Sequence, residues 1–182
     1  MDPLLGSLSD LKALVRDAHS RGIRVVLDAV FNHTSWTHPF FEAFQRDGFT
    51  SEYAKWYHPR VDSAVTDEDM MTTSVDGGIG GIDYRPVTSV AAFPLSPSPR
   101  PNYECFAFVG SMPKLNLDHP PTREYFLSVA RYWIEEADID GWRVDVANEM
   151  SPTFLRAFRD TVKGVKSDAW SQPRLSYRRL SY

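Results

Sequence analysis

Apolar residues at Leu8, Leu11, Leu14/Val15 and Ala18 recur at three- and four-residue spacing, with polar residues between them. That period is helical. Ser7 with Asp10 three residues on makes a capping-box-like start, and Gly22 a stop, so the pattern predicts a helix over 7–20. Ile23-Arg24-Val25-Val26-Leu27 then predicts a short, β-branched buried strand ending at Asp28. Helix, glycine and buried strand together are the αβ half of a parallel barrel or a doubly wound sheet.

A second such unit comes later. Pro120 and Pro121 suit the first turn of a helix whose buried stripe is Phe126, Val129/Ala130, Trp133 and Ala137, with Leu127 and Ile134 beside it. Asp138-Ile139-Asp140 feeds a second strand. Residues two apart on a strand share a face, so Arg143 and Asp145 point one way and Trp142, Val144 and Val146 the other. Ser151-Pro152 opens a final helix with Phe154, Leu155, Phe158 and Val162 on one side. After Lys166 the alternation fails. Trp170-Ser171-Gln172-Pro173 is polar and proline-broken, which argues against a further strand, and 167–182 is expected to be an aberrant or disordered tail.

Between the two units, 34–117 shows neither period. A connection this long inside a compact domain reads as an inserted small domain. Its first part is aromatic (Trp36, Phe40, Phe41, Phe44, Phe49, Tyr53, Trp56, Tyr57), and these rings are expected to pack as a satellite core. Its later part is turn-rich, with Gly77-Gly78-Ile79-Gly80-Gly81 and four prolines at Pro94, Pro97, Pro99 and Pro101. The glycine run lacks the GxGxxG order and a Walker lysine, so it does not point to phosphate binding.

Composition narrows the class. A chain of 182 residues with 42% hydrophobic content can build a real core. A net charge of −4 offers no basic footprint for nucleic acid. The single cysteine, Cys105, excludes an intramolecular disulfide. No run approaches the roughly 18 apolar residues of a membrane span, and Met1-Asp2-Pro3-Leu4 does not open a signal peptide. A cytoplasmic protein is expected, with no membrane partner.

The candidate chemistry sits where the strands end. A charged pair, Arg143 and Asp145, at the C-terminal end of a strand with an apolar opposite face has the layout of a (β/α) barrel active site. A fixed, ionised carboxylate is what a nucleophile in sugar chemistry must be. A plain buried Arg–Asp ion pair fits this stretch equally well. Asp28, Asn32 and His33 supply polar groups at the end of the first strand. No histidine pair has metalloprotease spacing.

Three segments in this order, DAVFNH (Asp28–His33), MPKLN (Met112–Asn116) and GWRVDVANE (Gly141–Glu149), resemble conserved regions of the α-amylase superfamily, glycoside hydrolase family thirteen. MPKLN together with VANE resembles its neopullulanase, cyclomaltodextrinase and maltogenic amylase subgroup. The resemblance implies an α/β fold, a partial TIM (β/α)8 barrel comprising about strands 3–4 and helices 2–4. A domain B would be inserted between strand 3 and helix 3. The implied division is 1–33 barrel, 34–117 domain B, 118–166 barrel. The implied activity is retaining hydrolysis of α-glucosidic bonds in cyclodextrin, pullulan or starch, with an α-glucan oligosaccharide or cyclodextrin as partner. Asp145 corresponds to the nucleophile and Arg143 to the arginine that positions it. His33 corresponds to the histidine at the cleaved sugar, Asp28 and Asn32 to the residues shaping its loop, and Asn148 and Glu149 to contacts on the leaving-group side. These resemblances place Asp28, His33, Arg143 and Asp145 at one rim of two parallel strands.

Two departures qualify the resemblance. Where many α-amylases have an acidic residue that helps hold calcium, Lys114 stands here, and a lysine cannot ligate a hard cation, so no metal or cofactor is expected. A full barrel takes about 250 residues before insertions, and the family's general-acid glutamate has no counterpart near Trp170. This reads as a truncated fragment carrying one of the two carboxyl groups. The alternatives are a non-catalytic remnant and a piece of a family glucanotransferase.

Overall fold

Helix α1 (Leu8–Ser20) starts as its sequence predicts. The Ser7 side chain accepts from the Asp10 backbone N–H, and the Asp10 carboxylate accepts from that of Ser7, closing a reciprocal cap. It ends in a Schellman turn. The Gly22 N–H donates to His19 O at 2.9 Å and the Ile23 N–H to Ala18 O at 2.9 Å. Gly22 holds φ 72°, a left-handed conformation that costs glycine little. Val15 is the buried residue of this helix, while Leu14, placed beside it in the predicted stripe, is 58% exposed.

The structure, a computed structural model, describes residues 2–59 and 103–173. The glycine run at 77–81, the prolines at 94–101 and the end of the tail, 174–182, lie outside the described residues. The chain forms two compact units, one of Met1–Phe31 with Pro120–Tyr182 and another of Asn32–His119.

The first unit holds a parallel three-stranded sheet in the order β1 (Val26–Ala29), β2 (Gly141–Val144), β3 (Trp170–Pro173). β1 begins later than the apolar run suggests. Ile23 is used in the Schellman turn, and the Val25 N–H is taken by the Asp140 carboxylate at 2.7 Å. β3 corrects the reading of 167–182 as wholly aberrant, and makes three strands of the two expected. Its backbone pairs with β2 from Gly141↔Trp170 to Val144↔Pro173. Proline is tolerated because β3 lies at an edge of this sheet and Pro173 is its last residue.

Register decides which side chains share a face. Leu27 stands beside Trp142 and Ala29 beside Val144, while Asp28 stands beside Arg143 on the other face. On the first face Trp142 lies 6.4 Å from Phe158 of α4 (Pro152–Val165), which packs against α3 (Pro120–Ala137). Phe31 gathers this core, its ring 5.3 Å from Phe126, 5.8 Å from Trp142 and 5.9 Å from Phe158. The buried stripe of α3 runs through Phe126, Leu127, Ala130, Ile134 and Ala137, and Trp133 is only half-buried. On α4, Phe154, Phe158 and Val162 are buried. Ser151 begins α4 through its backbone carbonyl, which accepts from the Leu155 N–H at 3.0 Å, without a side-chain cap bond.

At the strands' N-terminal end, Asp140 joins all three. Its N–H donates to Val25 O at 2.7 Å, its carboxylate accepts from the Val25 N–H, and its carbonyl accepts from the Trp170 N–H at 2.8 Å. The carboxylate also meets His19 Nε2 at 2.7 Å and Lys166 Nζ at 3.0 Å. Burial works against the charged form. The bonds from Val25, His19 and Lys166 outweigh it and pull the Asp140 carboxyl down to about 2.

The second unit is built on rings. Helix α2 (Pro39–Asp47) buries Phe41 and Phe44 against Tyr57, with centroid distances of 4.8 and 6.1 Å, and Tyr103 lies 5.0 Å from Phe41. Thr34 Oγ1 bonds the buried Tyr57 hydroxyl at 3.1 Å. Trp56 and Tyr57 are both buried, as expected of a satellite core.

Candidate active site

β2 delivers Arg143 to the open face of the sheet, and the chain continues straight into Asp145, whose N–H donates to Ala29 O at 3.1 Å. Arg143 Nη1 donates to both Asp28 oxygens at 2.5 Å, and Nη2 to Asp145 Oδ1 at 2.8 Å. One planar guanidinium therefore holds two carboxylates from neighbouring strands in fixed relation, which a point charge would not do. The Asp145 side chain keeps 27% of its surface exposed and Arg143 keeps 30%, so the carboxylate is both anchored and reachable.

Directly after Asp145 the backbone turns. Val146 adopts φ 53°, ψ 35° while only 2% exposed, a left-handed conformation that is rare for a β-branched residue. The turn begins the short 3-10 segment Ala147–Glu149, in which Asn148 is exposed and Glu149 half-buried. Both follow the strand that carries Asp145.

Asn32 and His33 belong to the second unit. Asn32 is buried at 1% exposure and its carbonyl accepts from the Leu115 N–H at 2.9 Å. His33 bridges Lys114 in antiparallel fashion, its Nδ1 lies 3.4 Å from Asn32 Nδ2, and its ring lies flat against Phe106. Of the four residues expected at one rim, three meet in the first unit, and His33 is positioned within the second.

The residue bridged to His33 is Lys114, a cation, and no group of three His, Cys, Asp or Glu side chains arranged to hold a metal occurs among the described residues. None of the helices in the described residues is long and apolar enough to cross a membrane.

Sequence reasoning missed Phe106, Gly141 and the Asp140 cluster. For Asp140 a signal existed, an aspartate just before a strand with a histidine and a lysine closing nearby helices, but pairing across that distance needs the fold.

The first unit thus carries an Arg-held aspartate at the C-terminal end of a parallel sheet, the end at which (β/α) barrels place their functional residues. The alpha-amylase catalytic-domain model matches residues 1–174, and the chain belongs to that family, whose members are glycoside hydrolases. It is 42% identical over 170 residues to a cyclomaltodextrinase of Geobacillus thermopakistaniensis, covering 93% of this chain and 24% of that protein. It is 37% identical to neopullulanase 2 of Thermoactinomyces vulgaris over 93% of this chain and 24% of that one. Among solved structures it resembles the Arthrobacter globiformis cyclic α-maltosyl-(1→6)-maltose hydrolase at 32% identity and TM-score 0.69, covering 92% of this chain and 31% of that one. The chain spans about a quarter of the length of the curated relatives it matches.

Proposed function

We propose that this chain carries the nucleophile half of a retaining α-glucan glycosidase site, acting on cyclic or linear maltooligosaccharides. The observation that carries the reading is the guanidinium of Arg143 shared between Asp28 and Asp145. Asp145 attacks the anomeric carbon and forms a glycosyl ester as the bond to the leaving oxygen breaks. Arg143 fixes the attacking oxygen, Asp28 fixes Arg143, His33 serves as a donor to the sugar, and the buried Asn32 shapes the loop that carries His33. Asn148 and Glu149 face the leaving-group side. In this reading β1, β2 and β3 are three strands of a (β/α)8 barrel, and 34–117 is its domain B.

Retaining hydrolysis needs a second carboxyl group about 5–5.5 Å from the first, on the other side of the bond. Glu149 follows the same strand as Asp145 and does not fill that place. No Asp or Glu follows Asp168 in the sequence. The chain as it stands is therefore expected to form the glycosyl ester only from a substrate whose leaving group departs without protonation.

The test is exposure to a 5-fluoro-α-glucosyl fluoride or an α-maltosyl fluoride, followed by peptide mass mapping. Covalent mass on Asp145, absent in Asp145→Asn, supports the reading. No adduct at any carboxylate would favour a non-catalytic glucan-binding role, which equilibrium binding of maltoheptaose would then reveal. Reducing-sugar release from cyclodextrin, pullulan or starch should not differ between the chain and Asp145→Asn.

A further inference from the structure

The imidazole of His33 and the ring of Phe106 lie 5.0 Å apart between centroids and only 5° from parallel. This pair is built by backbone on both sides. The segment carrying His33 is pinned to 113–115, with the Thr34 N–H donating to Pro113 O at 3.0 Å and the Leu115 N–H to Asn32 O at 2.9 Å. The same segment is pinned to the Phe106 loop. Lys114 N–H donates to Glu104 O at 2.9 Å, Phe106 N–H to Met112 O at 3.0 Å, and Cys105 bridges Pro113. Ala107 then takes φ 51°, ψ 27°, a left-handed conformation that folds the chain back directly after Phe106.

We propose that Phe106 is a positioning residue for His33. Its ring sets the plane of the imidazole. The Asn32 amide Nδ2, which can only donate, selects the neutral tautomer with Nδ1 as acceptor and the proton on Nε2. The stack and the Asn32 contact together fix both the plane and the tautomer of His33. Its use for a sugar rests on the functional reading above, whereas the stack and the tautomer do not.

The test uses the full chain labelled with ¹⁵N-histidine, without ligand. Long-range proton–nitrogen spectra read the tautomer of each imidazole, and His33 is assigned by comparison with His33→Gln. The expected spectrum shows His33 protonated on Nε2 alone, with its carbon-bound ring protons displaced upfield by the Phe106 ring. Phe106→Tyr should keep both features. Phe106→Leu should abolish the displacement and give averaged tautomer signals. Phe106→Met, which fills similar space without a flat face, should do the same. His38, which packs edge-on to Phe40 at 4.6 Å in the same unit, reports whether each variant is folded. An undisplaced His33 in the unsubstituted chain, an Nδ1–H tautomer, or His33 signals unchanged by loss of the ring in a folded variant would each overturn the proposal. A failure to trap Asp145 leaves these spectra unaffected, so the two readings fail separately.

Discussion

Asp28 and Arg143 stand at the same level of adjacent parallel strands, and the guanidinium takes both oxygens of that carboxylate while a second nitrogen holds Asp145. The strand register itself therefore sets where the proposed nucleophile can be.

The first expected outcome concerns that fork. Arg143→Lys keeps the charge but cannot bridge two carboxylates with planar geometry. Labelling of Asp145 by the glycosyl fluoride should fall by about 10²-fold, the cost of losing near-attack alignment. The melting temperature should change little, because these groups remain partly solvated. Equal labelling in the two proteins would show that Arg143 does not position the nucleophile.

Gly141 is a second point of leverage. It holds φ 150°, and a Cβ there would lie 1.9 Å from the Trp170 carbonyl oxygen. Gly141→Ala must therefore push β3 away from β2 or fail to fold. Thermal unfolding should show a loss of several kcal/mol, well beyond the about 1 kcal/mol typical of point substitutions. A variant as stable as the parent would mean that β3 does not approach so closely.

Asp140 predicts an acid limb of stability. Its carboxyl is lowered from the usual 3.8 to about 2. Its contribution is thus fully present above the unfolded value and is lost as pH falls through about 2. The shift corresponds to about 2 kcal/mol. Denaturant titrations from pH 5 to pH 2 should show this decline in the parent and a flatter profile in Asp140→Asn. Lys166 supplies the opposite limb. Burial disfavours its ammonium, but hydrogen bonds to Asp138 and Asp140 win and raise it above 10.5. Its stabilisation is accordingly present below 10.5 and lost as pH climbs through the raised value.

In the second unit, Trp56 packs 4.9 Å from Phe40 and 5.2 Å from Tyr53, and its carbonyl accepts from the Asn116 N–H at 2.7 Å. Trp56→Ala should cost about 3–5 kcal/mol, as for other buried aromatics cut to alanine. Calorimetry would read this directly. A variant of unchanged stability with weakened maltoheptaose binding would instead make these rings a sugar platform.

How much of this could be read in advance follows from where each signal resides. The Ser7 cap, the Gly22 stop and the Arg143/Asp145 face are local, set by residues within a few positions, and the sequence displays them. The start of β1 is not legible locally, because Asp140, far along the chain, takes the Val25 N–H. β3 leaves no apolar signal, because its pairing resides in backbone groups, to which Ser171 and Gln172 contribute as well as any apolar residue. The trio at Arg143 was anticipated from motif and alternation together. The stack of Phe106 on His33 was not, since two segments distant in sequence must be hydrogen-bonded before the rings meet.

The turn at Val146 has a consequence for how the chain can change. Local preference opposes a left-handed valine, and burial at 2% exposure imposes it, so one residue past Asp145 the landscape is frustrated. Glycine there would relieve the conflict and stabilise the backbone while removing the side chain that clamps it. The position beside the nucleophile is thus one where a gain in local comfort is exchanged for freedom of the carboxylate. A directed-evolution search for thermostability would be drawn to substitute Val146, and selection for turnover in an active family member would push the residue back.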